Sequence, residues 1–184
     1  MDPLRVVLIG PERTGKTWLA SALAGHYRAP WSPEYAREYV GRHGRALGYA
    51  DVEPIGRGQI AVEDAAAATA RAEDAALVIL DTDLVSTMVY SRHYYRDCPL
   101  WIEREACRRL GDLYLLHQVD VDWTPEGVQR EQPGRREELF VRFRATLELL
   151  EARFYEIEGE WEERRSRAIA AIGGLLATLQ GGGR

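Results

Sequence analysis

The stretch from Leu4 to Thr17, with the sequence LRVVLIGPERTGKT, constrains the fold more than any other part of this chain. A short apolar run ends at Gly10, and the following loop closes on Gly15 and Lys16 with the spacing G-x-x-x-x-G-K-[ST]. This spacing is typical of a loop whose backbone N–H groups wrap phosphates, because glycine permits close approach. A chance glycine-rich turn is the alternative. The strand-like run before the loop and the helix-like run after it favour phosphate binding.

Two side chains of this loop have separate expected tasks. Lys16 would reach the β- and γ-phosphates of a nucleotide, and Thr17 would offer its hydroxyl to Mg²⁺ at the positive end of the next helix. Lys16 is the only lysine in the chain, as expected where a compact ammonium is needed and a guanidinium would not fit. The residues expected to bind ATP here are Gly10, Glu12, Arg13, Thr14, Gly15, Lys16, Thr17 and Trp18.

Composition limits the remaining classes of protein. A chain of 184 residues with 46% hydrophobic content is predicted to form one domain, residues 1–184, with one core. Its net charge is −5 and its arginines are scattered among acids, so we expect no nucleic-acid partner. No apolar run approaches the roughly 20 residues that span a bilayer, and no signal peptide is apparent, so we expect a cytoplasmic protein without membrane contact. The oligomeric state is not predicted.

Strand-like and helix-like segments alternate along the chain. This alternation predicts an α/β fold with three layers, in which helices cover both faces of a mostly parallel five-stranded sheet. After the first strand and helix, we expect a brief strand within 29–34, a helix from 34 to 40, a loop over 41–58 that borders the acceptor site, and a helix over 59–76. The remaining expected elements are strands at 77–80, 112–116 and 154–157, helices at 85–95, 101–110, 136–152 and 161–179, and a disordered tail at 181–184.

An acidic pair follows the most apolar strand. Leu77 to Leu80 are continuously apolar, as in a central parallel strand, and Asp81 and Asp83 come directly after them. Ligands bind at the carboxyl ends of such strands, so Asp81 is the candidate ligand for Mg²⁺. For Asp83 two interpretations stay open, since it can line the reaction centre or cap the next helix.

A charged segment with two prolines precedes the last strand. Residues 120–136 contain Asp120, Asp122, Arg130, Arg135 and Arg136, a pattern that suits a lid. Arginines that close on a triphosphate neutralise the charge that develops during transfer, which makes Arg130 a catalytic candidate. The alternative is an ordinary charged surface loop.

Several blocks together resemble one family. The blocks are GPERTGKT, PEYAREYV, ILDTDLVST, DLYLLHQVDVDWTPEGVQR and FYEIEGEWEERRSRA. In this order they are similar to the ribosylnicotinamide kinase domain of the NadR family, over nearly the whole chain. The resemblance implies a P-loop fold of the nucleoside and nucleotide kinase type. It also implies an enzyme that uses ATP and Mg²⁺ to phosphorylate the 5′-hydroxyl of nicotinamide riboside, giving nicotinamide mononucleotide.

The resemblance also implies roles for particular residues. Glu34, Asp81 and Asp83 would line the reaction centre, and Arg130, Arg135 and Arg136 would belong to the lid. Many family members carry an adenylyltransferase domain before the kinase. Here the first strand begins at Leu4, so we expect a kinase domain alone. Because the phosphate loop is its only nucleotide motif, we also expect that it does not continue to NAD.

The acceptor site is expected to combine a base with aromatic faces. Glu34 follows the second strand and is the predicted general base, with Asp81 or Asp83 as alternatives. A pyridinium ring carries a permanent positive charge and favours electron-rich surroundings, although at least half of the candidate aromatics should be core or rim residues. The candidate acceptor-binding residues are Trp31, Glu34, Tyr35, Asp83, Tyr90, Tyr94, Asp122 and Trp123.

Two other functions remain compatible with the phosphate loop. The chain could phosphorylate a different nucleoside or nucleotide, or it could be a regulatory ATPase without an acceptor. A GTP-dependent switch is disfavoured because GTP specificity usually uses an N-K-x-D motif, and the chain contains no asparagine. The acidic cluster beside the loop favours a kinase.

Overall fold

A five-stranded parallel sheet forms the centre of the molecule. The computed structural model describes residues 2–120 and 133–181, with side chains described to residue 120 and from 135 to 178. Within them the strand order is β2-β3-β1-β4-β5, and every pairing is parallel. The expected three-layer α/β architecture is therefore confirmed. The strands are β1 Leu4–Ile9, β2 Trp31–Ser32, β3 Leu77–Asp81, β4 Leu113–His117 and β5 Phe154–Ile157.

Seven helices connect and cover these strands in the described part of the chain. Parallel neighbours need crossover connections, which is why a helix lies between successive strands. A single 3-10 turn, Tyr49–Asp51, precedes the third helix. The helices are α1 Lys16–Tyr27, α2 Tyr35–His43, α3 Val52–Ala72, α4 Leu84–Tyr95, α5 Leu100–Arg108, α6 Pro133–Leu149 and α7 Trp161–Gly181.

The two faces of the sheet bury two separate hydrophobic clusters. Successive side chains of a strand point to opposite faces, and β1 shows this directly. Val7 and Ile9 pack with residues of α3, α4, α5 and α6. Val6 and Leu8 pack with residues of α1 and α7. Strands covered on both faces need apolar residues at every position, which explains the uninterrupted apolar runs in the sequence.

The strand order brings the acidic pair to the phosphate loop. β3 lies directly beside β1, and Leu8 is in register with Asp81. The loop that leaves β1 and the acid that ends β3 therefore share the carboxyl edge of the sheet. The crossover from β1 leads through α1 to β2, which lies on the β3 side of β1, whereas the crossover from β3 leads to β4 on the opposite side of β1. A crevice therefore forms outside the carboxyl ends of β1 and its neighbours.

The loop expected over 41–58 is wrong in its second half. α3 begins at Val52, seven residues earlier than expected, and it includes Gly56 and Gly58. These glycines sit at helix contacts. A Cβ on Gly58 would overlap the Tyr35 ring, and one on Gly56 would lie 3.0 Å from Ile102 Cδ1. Close packing of neighbouring elements, which sequence pattern alone does not reveal, is therefore the reason for glycine here.

Two further findings concern the ends and surface of the fold. Gly181 closes α7, and the rest of the expected disordered tail, residues 182–184, lies outside the described residues. In the described ranges, every helix is too short or too polar to cross a lipid bilayer.

Candidate active site

The phosphate loop runs from the end of β1 to the start of α1. Gly10 has φ +133°, and a Cβ there would lie 2.9 Å from the His117 carbonyl oxygen. Gly15 has φ +82° and precedes the first helical residue, Lys16. Both backbone conformations are ones that side chains disfavour, which explains the glycines at the two ends of the motif. The free N–H groups of the first turn of α1 are then available to an anion.

Lys16 is buried at the base of this loop. Its ammonium donates a 2.7 Å hydrogen bond to the Pro11 carbonyl. Burial lowers the pKa of Lys16, while the negative charges of Glu34, Asp81 and Glu12 act in the opposite direction. A buried ammonium held by one carbonyl can exchange that partner for a phosphate oxygen, as expected for this motif.

Thr17 and Asp81 form the expected pair for a metal ion. The Thr17 hydroxyl donates a 2.6 Å hydrogen bond to Asp81 Oδ2. Burial is the main influence on Asp81 and raises its pKa. Asp81 Oδ1 is buried and has no hydrogen-bond partner within the described residues. A hydroxyl and an unsatisfied carboxylate oxygen side by side are hard oxygen donors, so these residues fit Mg²⁺.

A cavity opens beside the phosphate loop, between α2, α3 and α4. It contains roughly 590 Å³ of space when its solvent-exposed mouth is included. Of the candidate residues, the cavity brings together Glu12, Glu34, Tyr90 and Tyr94. It also includes Leu47 and Gly48 from the loop expected to border the acceptor. Among the described residues, the lining consists of Glu12, Glu34, Ala36, Leu47, Gly48, Val52, Ile55, Gln59, Thr82, Ser86, Thr87, Tyr90, Ser91, Tyr94 and Tyr95.

Glu34 is the residue immediately before the first turn of α2. Its carboxylate is 3.5 Å from the Arg37 guanidinium, and its side chain is only 22% exposed. Gln59 connects the start of α2 to the end of β3, because its side chain accepts from the Tyr35 N–H at 3.1 Å and donates to the Thr82 carbonyl at 3.2 Å. Sequence reasoning missed Gln59, since nothing in its local pattern indicates a link between the end of β3 and the start of α2.

Asp83 does not face the cavity with a free carboxylate. Its Oδ1 accepts from the N–H groups of Val85 and Ser86 at the start of α4, and its Oδ2 accepts from the Tyr114 hydroxyl at 2.7 Å. Burial raises the pKa of Asp83 to about 7. Of the two interpretations, the structure favours the helix cap, and the expectation that Asp83 lines the reaction centre is corrected.

Two candidate aromatics lie away from the cavity. Trp31 is on the edge strand β2 and is 37% exposed. The Tyr35 ring packs over Gly58. Neither belongs to the cavity lining. Both flank Glu34 in sequence, but Trp31 lies on the edge strand itself and the Tyr35 ring packs against α3, so these two acceptor-binding expectations are corrected.

Trp18 contacts another tryptophan beside the phosphate loop. The rings of Trp18 and Trp161 have centroids 5.2 Å apart, and each is about two-fifths exposed. A Cβ on Gly15 would overlap the Trp161 ring. Trp161 begins α7, so the structure adds an exposed aromatic surface, made of two rings tilted by 56°, that sequence reasoning missed. The distance of 143 positions along the chain concealed it.

The arginines expected in the lid are only partly described. Arg136 is buried at the start of α6 and its guanidinium lies 3.4 Å from the Arg13 carbonyl of the phosphate loop, whereas Arg135 is exposed. Burial lowers the pKa of Arg136. Arg130, Asp122 and Trp123 lie outside the described residues.

Comparison with known proteins supports the resemblance found in the sequence. A family model described as an AAA domain matches residues 5–164. The trifunctional NAD biosynthesis/regulator proteins NadR of Salmonella typhimurium and Escherichia coli are each 28% identical to this chain over 129 residues. That match covers 67% of this chain but 30% of each relative, so the chain spans about a third of their length.

Solved structures share the fold over almost the whole chain. A crystal structure of NadR protein in complex with NR superposes with a TM-score of 0.82 at 24% identity, covering 94% of this chain and 51% of that one. A NadR complex with NAD and AMP-PNP gives 0.80 at 23% identity, covering 94% and 49%. With the phosphate loop, the strand order and the extent of the family match, these findings establish that the chain belongs to the AAA-domain family and has the P-loop NTPase fold of NadR.

Proposed function

We propose that this protein is a kinase that transfers the γ-phosphoryl group of ATP to the 5′-hydroxyl of nicotinamide riboside, giving nicotinamide mononucleotide and ADP. One observation carries the proposal. The cavity that adjoins the phosphate loop is lined by two carboxylates, Glu12 and Glu34, and by three tyrosines, Tyr90, Tyr94 and Tyr95. A regulatory ATPase has no need of such a cavity next to its phosphates.

The donor side of the reaction uses the phosphate loop. Lys16 leaves the Pro11 carbonyl and contacts the transferred phosphate, and the first N–H groups of α1 hold the neighbouring phosphates. Thr17 and Asp81 are the residues that would hold Mg²⁺, which supplies neutralisation of phosphate charge when bound. The exposed faces of Trp18 and Trp161 suit the base of the nucleotide, because stacking on an aromatic ring needs no base-specific contact.

Glu34 is the proposed general base for the acceptor. The 5′-hydroxyl oxygen forms a bond to the γ-phosphorus as the bond to the β-phosphate oxygen breaks, and the hydroxyl proton passes to the Glu34 carboxylate. Glu34 lines the cavity and lies close enough to Lys16 and Asp81 for its charge to influence the pKa of each. These relations support Glu34 as the carboxylate that accepts the proton.

The charge of the cavity supports a cationic nucleoside as acceptor. Its described lining contains two carboxylates and neither lysine, arginine nor histidine. The phosphate of a nucleotide acceptor would find no cation to pair with among these described lining residues. The Tyr90 and Tyr94 rings are nearly parallel, 8° apart, with centroids separated by 6.1 Å, and aromatic faces attract a pyridinium ring.

Polar groups of α4 can recognise the neutral parts of the acceptor. Ser86 lies in the cavity lining, and its buried hydroxyl has no hydrogen-bond partner within the described residues. Buried polar groups are normally paired, so this hydroxyl is a candidate contact for a ribose hydroxyl or the carboxamide. Two relatives also support the proposal, since the NadR structures are described as complexes with NR and with NAD and AMP-PNP.

A panel of acceptors tests the proposed function. The purified protein is incubated with Mg-ATP and, separately, with nicotinamide riboside, its reduced uncharged form, uridine, cytidine or nicotinamide mononucleotide, and ADP and products are quantified. We expect nicotinamide mononucleotide from nicotinamide riboside, with the highest kcat/KM of the panel, and no NAD from the mononucleotide. ADP formation that does not depend on any acceptor would support the regulatory ATPase instead.

A further inference from the structure

Arg164, on the first turns of α7, is one of the largest fully buried side chains among the described residues. It is only 1% exposed. Its Nε donates to the Gly159 carbonyl at 2.7 Å, and its Nη1 approaches the carbonyls of Ile157 at 3.3 Å and Thr14 at 3.4 Å. Its Nη2 pairs with the Asp120 carboxylate. One guanidinium therefore connects the phosphate loop to the ends of β4 and β5.

The contact with Thr14 bears on the direction of a neighbouring N–H group. The Thr14 carbonyl also accepts from His117 Nδ1 at 2.9 Å, so two buried side chains hold this oxygen towards the interior. The carbonyl oxygen of Thr14 and the N–H of Gly15 belong to the same planar, trans peptide unit and point in opposite directions. Holding the carbonyl inwards therefore turns the Gly15 N–H outwards, to the side on which phosphate binds.

The guanidinium is itself held firmly. Asp120 accepts from Arg164 with one carboxylate oxygen and from the Gly159 N–H, at 2.7 Å, with the other. Asp120 compensates the charge of the buried arginine, which would otherwise be costly in the interior. By comparison, Arg167 lies on the same helix with its side chain 50% exposed, and its ion pair within the described residues is with Glu158. The two arginines thus differ in burial and in their connection to the loop.

We propose that Arg164 is a positioning residue for phosphotransfer, which holds the Thr14–Gly15 peptide of the phosphate loop in the orientation that binds the nucleotide phosphates. This inference deepens the proposed function and rests on it for its kinetic consequence. The planar fork of arginine reaches three carbonyls and one carboxylate at once, and the single ammonium of lysine cannot reproduce that set of contacts. Arg164 acts through the loop backbone and does not touch substrate.

Two variants and a matched control test the role of Arg164. Arg164→Met keeps much of the apolar stem and removes every donor, Arg164→Lys keeps the charge, and Arg167→Met removes the exposed arginine nearby. Amide hydrogen exchange of the segment 10–17 is followed by mass spectrometry, and Kd for Mg-ADP is measured by titration. We expect both Arg164 variants to exchange faster in this segment and to bind Mg-ADP about tenfold or more weakly, since several charge-assisted hydrogen bonds are lost. Arg167→Met should match the wild type in both measurements.

The outcomes separate this inference from the proposed function. Exchange over 10–17 and affinity for Mg-ADP that equal the wild type in Arg164→Lys would overturn the positioning role, even if Arg164→Met fails to fold. A uniform rise in exchange over all helices would overturn it as well, because it would indicate general destabilisation. A wild type that binds Mg-ADP but phosphorylates no acceptor would contradict the proposed kinase, while the exchange of segment 10–17 still decides the role of Arg164.

Discussion

The phosphate loop and the acceptor cavity are adjacent, but they are built in different ways. The loop uses consecutive residues between β1 and α1, with Lys16 at its base and the buried Arg164 and His117 beneath it. The cavity collects its described residues from the loop itself, from α2, α3 and α4, and from the connection before α3. Among them the charged groups are the carboxylates Glu12 and Glu34. Under the proposed function, these charges separate a polyanionic donor from a cationic acceptor.

The difference between the loop and the cavity indicates which substitutions should affect the nucleotide and which should affect the acceptor. Substitutions in or beneath the loop should act on the nucleotide, and substitutions in the cavity should act on the acceptor. Glu34 lies between the two regions and should affect the chemical step instead of either affinity. The following predictions test this separation.

The largest effect is expected at Lys16. Lys16→Ala should lower kcat/KM by about 10³-fold or more, because the variant loses the charge that faces the transferred phosphate. Lys16→Arg should also be poor, since a guanidinium is larger and needs a different geometry. Steady-state kinetics with Mg-ATP, together with thermal unfolding to confirm the fold, provide the measurement. Near-normal turnover in either folded variant would remove the assignment of the phosphate loop.

Glu34 should control the rate more than the affinities. Glu34→Gln is expected to lower kcat by about 10²- to 10⁴-fold, the usual contribution of a general base, and to leave Kd for an ATP analogue nearly unchanged. Glu38→Gln is a suitable control, since Glu38 lies one turn further along α2 and pairs with Arg42 at the surface. If only the KM for the acceptor rises in Glu34→Gln, the proton acceptor is a different carboxylate, with Asp81 the next candidate.

The tyrosines of the cavity should set acceptor preference by a smaller amount. Tyr90→Leu and Tyr94→Leu are each expected to reduce the ratio of kcat/KM for nicotinamide riboside to that for uridine by about 2- to 30-fold, which corresponds to roughly 0.5–2 kcal/mol per cation–π contact. Tyr155→Leu, on the exposed part of β5, should leave this ratio unchanged. An unchanged ratio in both cavity variants would contradict recognition of the positive charge.

The last prediction concerns how the free energy of unfolding depends on pH. Its sign is opposite for the buried groups His117, beneath the loop, and Asp83, beside the cavity. Burial lowers the pKa of His117 to about 3. The contribution of neutral His117 to the free energy of unfolding is therefore present above about pH 6.5 and is lost as the pH falls towards 3. Burial raises the pKa of Asp83, at the start of the cavity helix α4, to about 7. The contribution of protonated Asp83 to the free energy of unfolding is present below about pH 4 and is lost as the pH rises to 7.

Asp83→Asn tests the second of these contributions. Asparagine stays neutral and remains a good helix cap, so the variant should lose the decline of stability between pH 4 and pH 7 that Asp83 causes. The measurement is Tm against pH for the wild type and the variant, and the expected difference is a few degrees in favour of the variant at pH 8 compared with pH 5. Parallel curves over this range would show that Asp83 titrates normally.

Much of the nucleotide side could be predicted from the sequence. The sequence from Gly10 to Thr17 indicates the geometry of the loop directly, because the loop requires two glycines, a lysine and a hydroxyl at fixed spacings. The buried strand that ends in Asp81 was equally clear, because a strand covered on both faces is apolar at every position. In both cases the information is local, so the sequence by itself determined the fold class and the position of the phosphate loop.

The acceptor side and the support beneath the loop were decided by tertiary structure. Glycine stands at position 58 of α3 because the Tyr35 ring occupies the space of a Cβ there. Asp83 caps α4 with one oxygen, and Tyr114, from a strand 31 residues away, occupies the other. Arg164 meets Thr14 across 150 positions. Such neighbours are set by the order of the strands and by which helix covers which face, and no local pattern of residues encodes them.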